Sequence, residues 1–324
     1  MSKLIEKSNN KKLVNRIEIK MVKRIFYIFN RVRYYLSHKP VVLLQLGWDC
    51  LAPILPDELF IRVKFRLYMG YWMDLKKPKT FNEKLQWLKL NDIHPEYTQM
   101  VDKIEAKKYV ASLVGGRYII PTLGIWDSAD DIDWDSLPSK FVVKATNDSG
   151  GVVVCKDKSK LDIQTAMVKL KSNGGRDYTL VSKEYPYKNV PHRYIAEKYM
   201  EDESGIELKD YKFFCFNGKV EFLFVATGRQ QNDTRFDFYD VEFNHLPVIN
   251  GHPNADVWPV KPKNFEEMIS VAEKLSKGIK HVRVDLYNIN GRIYFGELTF
   301  FHWSGIVPFE PMEWDYKFGN LLHL

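Results

Sequence analysis

The stretch His281–Gly305 constrains the fold of this chain more than any other part of its sequence. Its letters, HVRVDLYNINGRIYFGELTFFHWSG, form two alternating runs separated by NING, which predicts two strands joined by a turn. Side chains two positions apart lie on the same face of a strand, so Arg283 and Asp285 share a face, and so do Glu297 and Thr299. If the turn pairs the strands in register, one face of the hairpin carries an arginine, two carboxylates and a hydroxyl.

Two interpretations of this charged face are open. Carboxylate oxygens are the hard ligands that Mg²⁺ prefers, and Mg²⁺ usually takes one or two of them together with phosphate oxygens. Alternatively, the charges are the solvated outer face of an amphipathic hairpin, which is common in antiparallel sheets. The rest of the chain favours the first interpretation.

The composition describes a globular protein. The chain has 324 residues, enough for one large domain or two moderate ones, and 45% of them are hydrophobic. The three cysteines, Cys50, Cys155 and Cys215, are far apart and odd in number, so they indicate neither a disulfide framework nor a zinc site. This usage predicts a cytoplasmic protein. None of these cysteines has a histidine near it in the sequence, and no G-x-S-x-G sequence is present. No pattern therefore indicates an enzyme that uses a nucleophilic side chain.

Positive charge is concentrated at the N-terminus. Residues 1–40 hold eleven Lys or Arg and two Glu, whereas the rest of the chain is close to neutral, so we expect no general nucleic-acid surface. Residues 13–36 place apolar side chains at helical spacing opposite basic ones. They predict either a helix that lies peripherally on an anionic membrane or a helix packed on protein with a wet basic face. The apolar run 41–55 is too short to span a membrane and predicts a buried or interfacial hairpin.

The next part of the chain has helical patterns. Helices are predicted over residues 56–73 and 80–92, and Thr80 with Glu83 forms a capping box at the start of the second. A third helix is predicted from Tyr97 up to a pair of glycines that can end it.

Strand patterns dominate from Lys140 onward, and they are interleaved with helices, one of them capped by Asn264. Strands and helices mixed with antiparallel hairpins predict an α+β fold. We therefore expect a basic segment over 1–56, a helical region over 57–120, and one α+β domain over 121–324.

A second informative stretch is KFVVKATNDSGGVVV. A strand ends in Lys144, and a polar loop containing Ser149, Gly150 and Gly151 leads into the next strand. Glycines and exposed backbone N–H groups let a loop close over phosphates, which a lysine ammonium neutralises. Alternatively, this is an ordinary hairpin with a glycine turn.

Three further patterns carry candidate residues. The strand RYIAEKYM ends in Glu197, Lys198 and Tyr199, where strand-edge backbone groups could hold an adenine and a ribose; the alternative is a plain edge strand. Asp210 and Lys212 share a face of the following strand, where a surface ion pair is the alternative. The acidic loop DDIDWD contains overlapping D-x-D patterns, as metal-dependent glycosyltransferases do, although a solvated loop is the simpler interpretation.

From about residue 120 onward, the order of these motifs along the chain resembles that of the ATP-grasp ligases. The closest resemblance is to the teichuronopeptide-type, TupA-like ATP-grasp family of bacterial surface-polysaccharide clusters. The stretches FNEKLQWLKLND and FVVKATNDSGG, together with the DK of MVDKIEAKKYV, look like that family's own stretches. The resemblance therefore extends over roughly residues 57–310.

The resemblance implies a nucleotide site. Lys144 would contact the ATP phosphates, with the loop from Thr146 to Gly151 closing over them. The stretch Glu197–Tyr199 would form the adenine hinge, and Asp210 and Lys212 would lie towards the ribose and the phosphates.

The resemblance also implies a metal site on the hairpin. Asp285 and Glu297 would hold Mg²⁺, and Arg283 would face an acyl phosphate. Many ATP-grasp enzymes have asparagine where this chain has Thr299, whose hydroxyl can still coordinate the metal or hold a metal-bound water.

The implied activity is an ATP-dependent carboxylate–amine ligase that forms an amide through an acyl phosphate. The implied acceptor is a uronic acid or another carboxylate of a capsular or cell-wall precursor, and the implied amine is an amino acid. A glycosyltransferase that uses the D-x-D loop is the alternative, and a non-catalytic scaffold with an ATP-grasp fold is a third. The intact Lys144, Asp285 and Glu297 argue against the scaffold.

Overall fold

The computed structural model describes residues 40–146, 150–173, 178–205, 207–231 and 233–324. The predicted basic helix 13–36 and the predicted loop residue Ser149 lie outside these ranges. The chain divides into two compact units, Met1–Tyr71 and Trp72–Leu324. No helix in the described ranges is long and apolar enough to cross a membrane.

The first unit contains the helices α1 (Pro40–Asp49) and α2 (Asp57–Met69). The prediction of a hairpin over 41–55 is wrong, because this run is helix α1 followed by turns. No proline interrupts the run before Pro53, so nothing in it breaks a helix early. Helix α2 has two acidic residues in its first turn, where they complement the helix dipole, and it ends at Gly70.

The second unit begins with α3 (Phe81–Asn91), α4 (Tyr97–Val101) and α5 (Glu105–Val114). The capping box predicted for α3 is confirmed. Thr80 Oγ1 accepts a hydrogen bond from Glu83 N at 3.1 Å, and the Glu83 carboxylate accepts one from Thr80 N at 3.1 Å. Together these bonds satisfy two backbone donors at the start of the helix.

The prediction of one continuous helix from Tyr97 is wrong, because the chain turns at Asp102. Asp102 Oδ1 accepts from Ile104 N at 2.8 Å and from Glu105 N at 3.3 Å. This side chain competes with the backbone carbonyls of a continuing helix and starts a new one instead. Asp102 Oδ2 accepts from Arg193 Nη2 at 2.7 Å, which ties the start of α5 to the strand that follows Arg193.

The smaller sheet has four antiparallel strands in the order β1-β4-β2-β3. Their bounds are β1 (Thr122–Trp126), β2 (Phe141–Ala145), β3 (Val152–Cys155) and β4 (Tyr194–Lys198). Helices α6 (Ile163–Asn173) and α7 (Tyr178–Ser182) lie between β3 and β4 in the sequence. One face of this sheet packs Phe141, Val143 and Ala196 against Leu170 of α6. Because side chains alternate along a strand, the residues between them point from the opposite face.

The larger sheet has six antiparallel strands in the order β10-β9-β5-β6-β7-β8. Their bounds are β5 (Asp210–Phe216), β6 (Lys219–Thr227), β7 (Arg235–Tyr239), β8 (His245–Leu246), β9 (His281–Ile289) and β10 (Arg292–Thr299). Helix α8 (Phe265–Ser276) packs its apolar stripe against β5 and β9, and α9 (Glu313–Leu321) ends the chain. Asn264 precedes α8, but its side chain does not cap the helix as predicted. It bonds instead to Gly291 O and to Asn288.

A β-bulge sets the register of the β9–β10 hairpin. Phe295 pairs with Leu286, but Glu297 pairs with Asp285, so one residue is inserted at Gly296. Without this insertion Glu297 would pair with Val284 and would lie on the opposite face, which is buried. The predicted gathering of the hairpin's polar residues on one face is confirmed, and the bulge produces it.

Candidate active site

Arg283 is the centre of the charged face on the larger sheet. Its Nε donates to Asp285 Oδ1 and its Nη2 to Asp285 Oδ2, both at 2.7 Å. Nη2 also donates to Glu297 Oε1 at 3.1 Å and to Thr299 Oγ1 at 3.0 Å. Nη1 bonds to His302 Nδ1 at 2.7 Å. The hairpin thus brings together all four of its predicted site residues.

His302 holds this guanidinium in place from a buried position. His302 Nε2 lies 2.8 Å from Asn250 Oδ1, and Asn250 Nδ2 donates to the carbonyls of Val307 and Pro308. Because Nε2 faces an acceptor, it carries the proton and Nδ1 is left to accept from Arg283. Burial and the Arg283 charge lower the pKa of His302 well below its usual value, so the ring stays neutral.

Lys212 and Asp210 extend the cluster onto β5. Lys212 forms an ion pair with Asp285, the residue opposite it in the strand register, and its Nζ lies 3.5 Å from Asp210 Oδ2. Arg229 forms a second ion pair with Asp210 Oδ2. The other oxygen, Oδ1, is buried and has no hydrogen-bond partner in the described part of the chain. A buried acceptor of this kind is costly unless a ligand supplies its partner.

The two hairpin carboxylates have opposite pKa shifts. Burial raises the pKa of Asp285 above its usual value, although Arg283 and Lys212 oppose that effect. Desolvation would also raise the pKa of Glu297. The positive charges of Lys212, Arg283 and Lys103 outweigh this effect and lower the pKa of Glu297 from 4.5 to about 2. Glu297 therefore remains charged at neutral pH, and half of its side chain is exposed.

Magnesium fits this donor set if phosphate oxygens complete the coordination. Asp285 and Glu297 are directly paired, and Glu297 Oε2 has no partner within the described ranges. Both Asp285 oxygens are bonded to Arg283 or Lys212. The described residues contain no group of three or more His, Cys, Asp or Glu that could hold a metal. Two carboxylates with added phosphate oxygens match the usual Mg²⁺ site, whereas a cage built from protein alone does not form.

Glu197 lies between two lysines on the smaller sheet. Its Oε2 is 2.6 Å from Lys144 Nζ, and its Oε1 forms an ion pair with Lys107 of α5. Burial alone would raise the pKa of Glu197, but the two lysines outweigh it and the pKa is lowered. Burial would likewise lower the pKa of Lys144, but Glu197 reverses the shift and the pKa is raised. Lys144 is therefore firmly charged, and 21% of its side chain is exposed.

The loop after β2 begins with a fixed residue. The Thr146 hydroxyl donates to Pro191 O at 2.7 Å and accepts from Arg193 N at 3.0 Å. Thr146 is thereby bound to the segment before β4, so its hydroxyl is not directed at a phosphate. Gly151 O accepts from Ala145 N at 2.9 Å, which closes the base of the loop. Phosphate contacts from this loop would come from backbone groups beyond Thr146.

The end of β4 carries the predicted adenine hinge. Lys198 N donates to Pro121 O at 3.0 Å, so this N–H group is not available to a base, and the Lys198 side chain is exposed. Tyr199 is buried, and its hydroxyl has no partner in the part of the chain that the structure describes. Its ring lies 5.7 Å from Lys140 Nζ and 5.9 Å from Lys156 Nζ, within cation–π range.

The charged groups of the two sheets act on each other. Glu297 and Asp210 add to the effects that raise the pKa of Lys144. Lys103, which donates to Thr146 O at 3.2 Å, adds to those that lower the pKa of Glu297. Both clusters contain cations and carboxylates, and together their chemistry suits a polyphosphate and a divalent cation.

A model of the TupA-like ATPgrasp family matches residues 83–323, well over half of the chain. The chain belongs to this family. This match confirms three predictions: the family, the α+β ATP-grasp fold, and the enzyme class, a ligase. The matched range contains all of the predicted site residues, whose individual roles stay predictions.

Several solved structures are similar to this TupA-like protein. They include a D-alanine–D-alanine ligase from Bacillus anthracis complexed with ATP, with 16% identity and a TM-score of 0.37, covering 62% of this chain and 53% of that one. A D-alanyl-alanine synthetase A from Vibrio cholerae has 15% identity and a TM-score of 0.41. The match covers 75% of this chain and 68% of that one. An N5-carboxyaminoimidazole synthetase from Staphylococcus aureus complexed with ADP has 15% identity and a TM-score of 0.38. The match covers 62% of this chain and 44% of that one.

The chain thus spans little more than half the length of the first of these structures. No curated protein sequence matches it significantly.

Sequence reasoning missed four contributors to the TupA-like site: Lys103, Lys107, Arg229 and Asn250. Their charges and partners become visible only when distant segments pack together. Lys103 belongs to the DK pair used for the resemblance, whereas no local pattern places Lys107 of α5 beside Glu197.

Proposed function

We propose that this protein is an ATP-dependent carboxylate–amine ligase. A carboxylate oxygen of the substrate attacks the γ-phosphorus of ATP, which gives an acyl phosphate and releases ADP. An amine then attacks the acyl carbon, the bond to phosphate breaks, and the nitrogen loses a proton to leave an amide. The observation that carries this proposal is the pairing of Asp285 with Glu297 around Arg283, together with the charged Lys144 of the smaller sheet.

The proposed roles follow from charge and position. Lys144 and Lys103 neutralise phosphate oxygens, and Arg283 faces the group that is transferred. When Mg²⁺ is bound, held by Asp285 and Glu297, it supplies charge neutralisation and alignment of the phosphates. No side chain acts as a nucleophile, so the protein contributes positioning and electrostatics.

The substrates proposed are a carboxylate of a surface-polysaccharide precursor, such as a uronic acid, and an amino acid as the amine. The resemblance of the sequence to the teichuronopeptide-type family supports them. The net positive charge near Lys144, Lys107 and Lys103 also suits substrates that carry carboxylates and phosphates.

Thermal unfolding in the presence of nucleotides tests this function. A ligand that binds the folded state at 100 times its Kd stabilises it by about 2.7 kcal/mol, which gives an upward shift in Tm of several degrees. We expect ATP with Mg²⁺ to raise the Tm and nucleotide sugars to leave it unchanged. Stabilisation by a nucleotide sugar, with none by ATP and Mg²⁺, would support a glycosyltransferase instead.

The acidic loop of that alternative lies on the other side of the smaller sheet from Lys144. Asp130 forms an ion pair with Lys171 at 2.7 Å, and Asp133 Oδ1 accepts from Ser136 N. Trp134 of the same loop packs on the face of the smaller sheet opposite Lys144. These contacts suit a loop that stabilises the sheet.

A separate proposal concerns the N-terminal charge. Eleven Lys or Arg within residues 1–40 favour peripheral binding to an anionic membrane, because each basic residue near such a surface contributes about 1 kcal/mol. We expect the full chain to co-sediment with phosphatidylserine vesicles at low salt and to be released at high salt. A chain that lacks residues 1–40 should stay in the supernatant and still bind ATP. Equal sedimentation of both chains would contradict this proposal.

A further inference from the structure

The turn after β10 has an unusual backbone. Trp303 and Ser304 adopt left-handed φ values of 48° and 54°. This region is unfavourable for residues that carry a Cβ, and especially so for a bulky side chain. Such strain persists only where surrounding contacts enforce it, and it occurs often at ligand sites.

Helix α3 supplies the contacts that enforce this backbone. Gln86 Nε2 donates to Ser304 O at 3.0 Å and to Gly305 O at 2.8 Å. Lys89 Nζ donates to Ser304 O at 2.8 Å and to Ser304 Oγ at 2.7 Å. Gly305 also has a left-handed φ of 62°, and a Cβ there would overlap Gln86. The polar face of α3 thus holds the carbonyls of Ser304 and Gly305.

The result is that an indole ring is held at the surface. Trp303 is 42% exposed, and its ring lies 6.2 Å from Phe236 at an interplanar angle of 30° and 6.1 Å from His252. Gly251, with φ of 74°, lies against the indole so closely that an added Cβ would be 3.2 Å from Nε1. The indole N–H has no protein partner within the described ranges. One side of the ring is therefore packed, while 42% of the residue stays exposed.

Trp303 is connected to the charged cluster in two ways. Its chain neighbour His302 bonds to Arg283 at 2.7 Å. On the sheet, Arg283 Cζ lies 6.0 Å from the centre of the Phe224 ring, which is 4.4 Å from the Phe236 ring on which Trp303 packs. Trp303 therefore lies next to the charged cluster, both along the chain and across the aromatic side chains of the sheet.

We propose that Trp303 is the platform for a sugar ring of the carboxylate substrate. The C–H groups on one face of a pyranose carry partial positive charge, which the negative face of an indole attracts, and the free N–H can donate to a hydroxyl. The Arg283 guanidinium supplies the complementary charge for the carboxylate. This assignment rests on the proposed ligase function, because it takes the Arg283 cluster as the reacting end of the site.

Binding of a defined saccharide tests the platform. The probe is a tetrasaccharide that alternates glucuronate and N-acetylglucosamine, and its affinity for the full chain is measured by calorimetry with ADP and Mg²⁺ present. Glutarate serves as a carboxylate without a ring. We expect the tetrasaccharide to bind and Trp303→Ala to weaken it at least tenfold. Trp303→Phe, which keeps an aromatic face, should retain most of the affinity.

Trp258→Ala is the matched control. Trp258 is 55% exposed and stacks on His245 of β8 at 3.8 Å, so it is another surface tryptophan packed on the larger sheet, and its removal should leave saccharide affinity unchanged. All three variants should keep the Tm shift produced by ATP and Mg²⁺.

The outcomes separate the two proposals. If the wild type responds to ATP and Mg²⁺ but binds the tetrasaccharide no better than glutarate, or if Trp303→Ala binds it as the wild type does, the platform is wrong and the ligase function stands. If ATP with Mg²⁺ does not stabilise the wild type, the ligase function fails first.

Discussion

The charged clusters of the two sheets are assembled in opposite ways. On the smaller sheet, one carboxylate, Glu197, lies between Lys144 and Lys107, which leaves an excess of one positive charge. On the larger sheet, carboxylates and cations balance around Arg283, which bonds to four side chains at once. The smaller sheet can therefore accept phosphate without rearrangement. The larger sheet can accept a metal with its phosphates only if Arg283 and Lys212 exchange Asp285 for phosphate oxygens.

Removing a hairpin carboxylate should have the largest effect on activity. Asp285→Asn and Glu297→Gln keep shape but delete charge, and the loss of a metal ligand commonly removes several kcal/mol of transition-state stabilisation. We expect ADP release to fall at least a hundredfold in either variant, while circular dichroism reports a folded protein. Near-normal ADP release from either variant would show that the balanced cluster is not the metal site.

Replacing Glu197 should instead have its largest effect on stability. Glu197→Gln leaves Lys144 and Lys107 facing each other without their shared carboxylate, and breaking a buried ion pair costs roughly 3 kcal/mol. Glu297→Gln should cost less, because half of the Glu297 side chain is exposed. Urea unfolding of the two variants measures the difference, and a larger loss for Glu297→Gln would reverse the comparison.

The two clusters also differ in how far the sequence could predict them. Alternation along β9 and β10 predicted that Arg283 and Asp285 share a face, since strand periodicity is local. The step that brings Glu297 onto that face depends on the bulge at Gly296, and a glycine in a strand indicates a bulge without fixing the register. Glu197 was predicted as part of a hinge, but its partner Lys107 comes from α5, which reaches it only through tertiary packing.

The helices show the same limit. The capping box of α3 was predicted because its two residues lie three positions apart in the sequence. The break between α4 and α5 instead depends on Asp102 and on Arg193, its partner far along the chain. The α+β fold class and the shared face of Arg283 and Asp285 therefore follow from local patterns. The supports that hold the site in place, among them the contacts of Gln86 and Lys89 with the turn after β10, do not.

Nucleotide affinity should depend on the smaller sheet. Lys144→Ala removes a charged donor whose hydrogen bond to phosphate contributes about 1.5 to 3 kcal/mol, which corresponds to a roughly 10- to 150-fold weaker Kd for ATP. Asp133→Ala, in the loop on the other face of that sheet, should leave the Kd unchanged. Calorimetry with a non-hydrolysable ATP analogue measures both. A larger loss for Asp133→Ala would favour the glycosyltransferase and would remove the functional contrast between the two faces.

The smallest expected effect is a pH dependence of stability that Glu297 contributes. Its pKa in the folded protein, about 2, is lower than its ordinary value of 4.5. A depressed pKa means that the folded state favours the charged form, so the stabilising contribution is fully present above pH 4.5 and is lost as the pH falls towards 2. The difference in unfolding free energy between the wild type and Glu297→Gln should therefore shrink across this window. Glu313→Gln, an exposed change on α9, gives the matched baseline. If the difference in unfolding free energy stays constant from pH 6 to pH 2, the cations around Arg283 do not act on Glu297. Its charge would then be as independent of Arg283 and Lys212 as that of any surface glutamate.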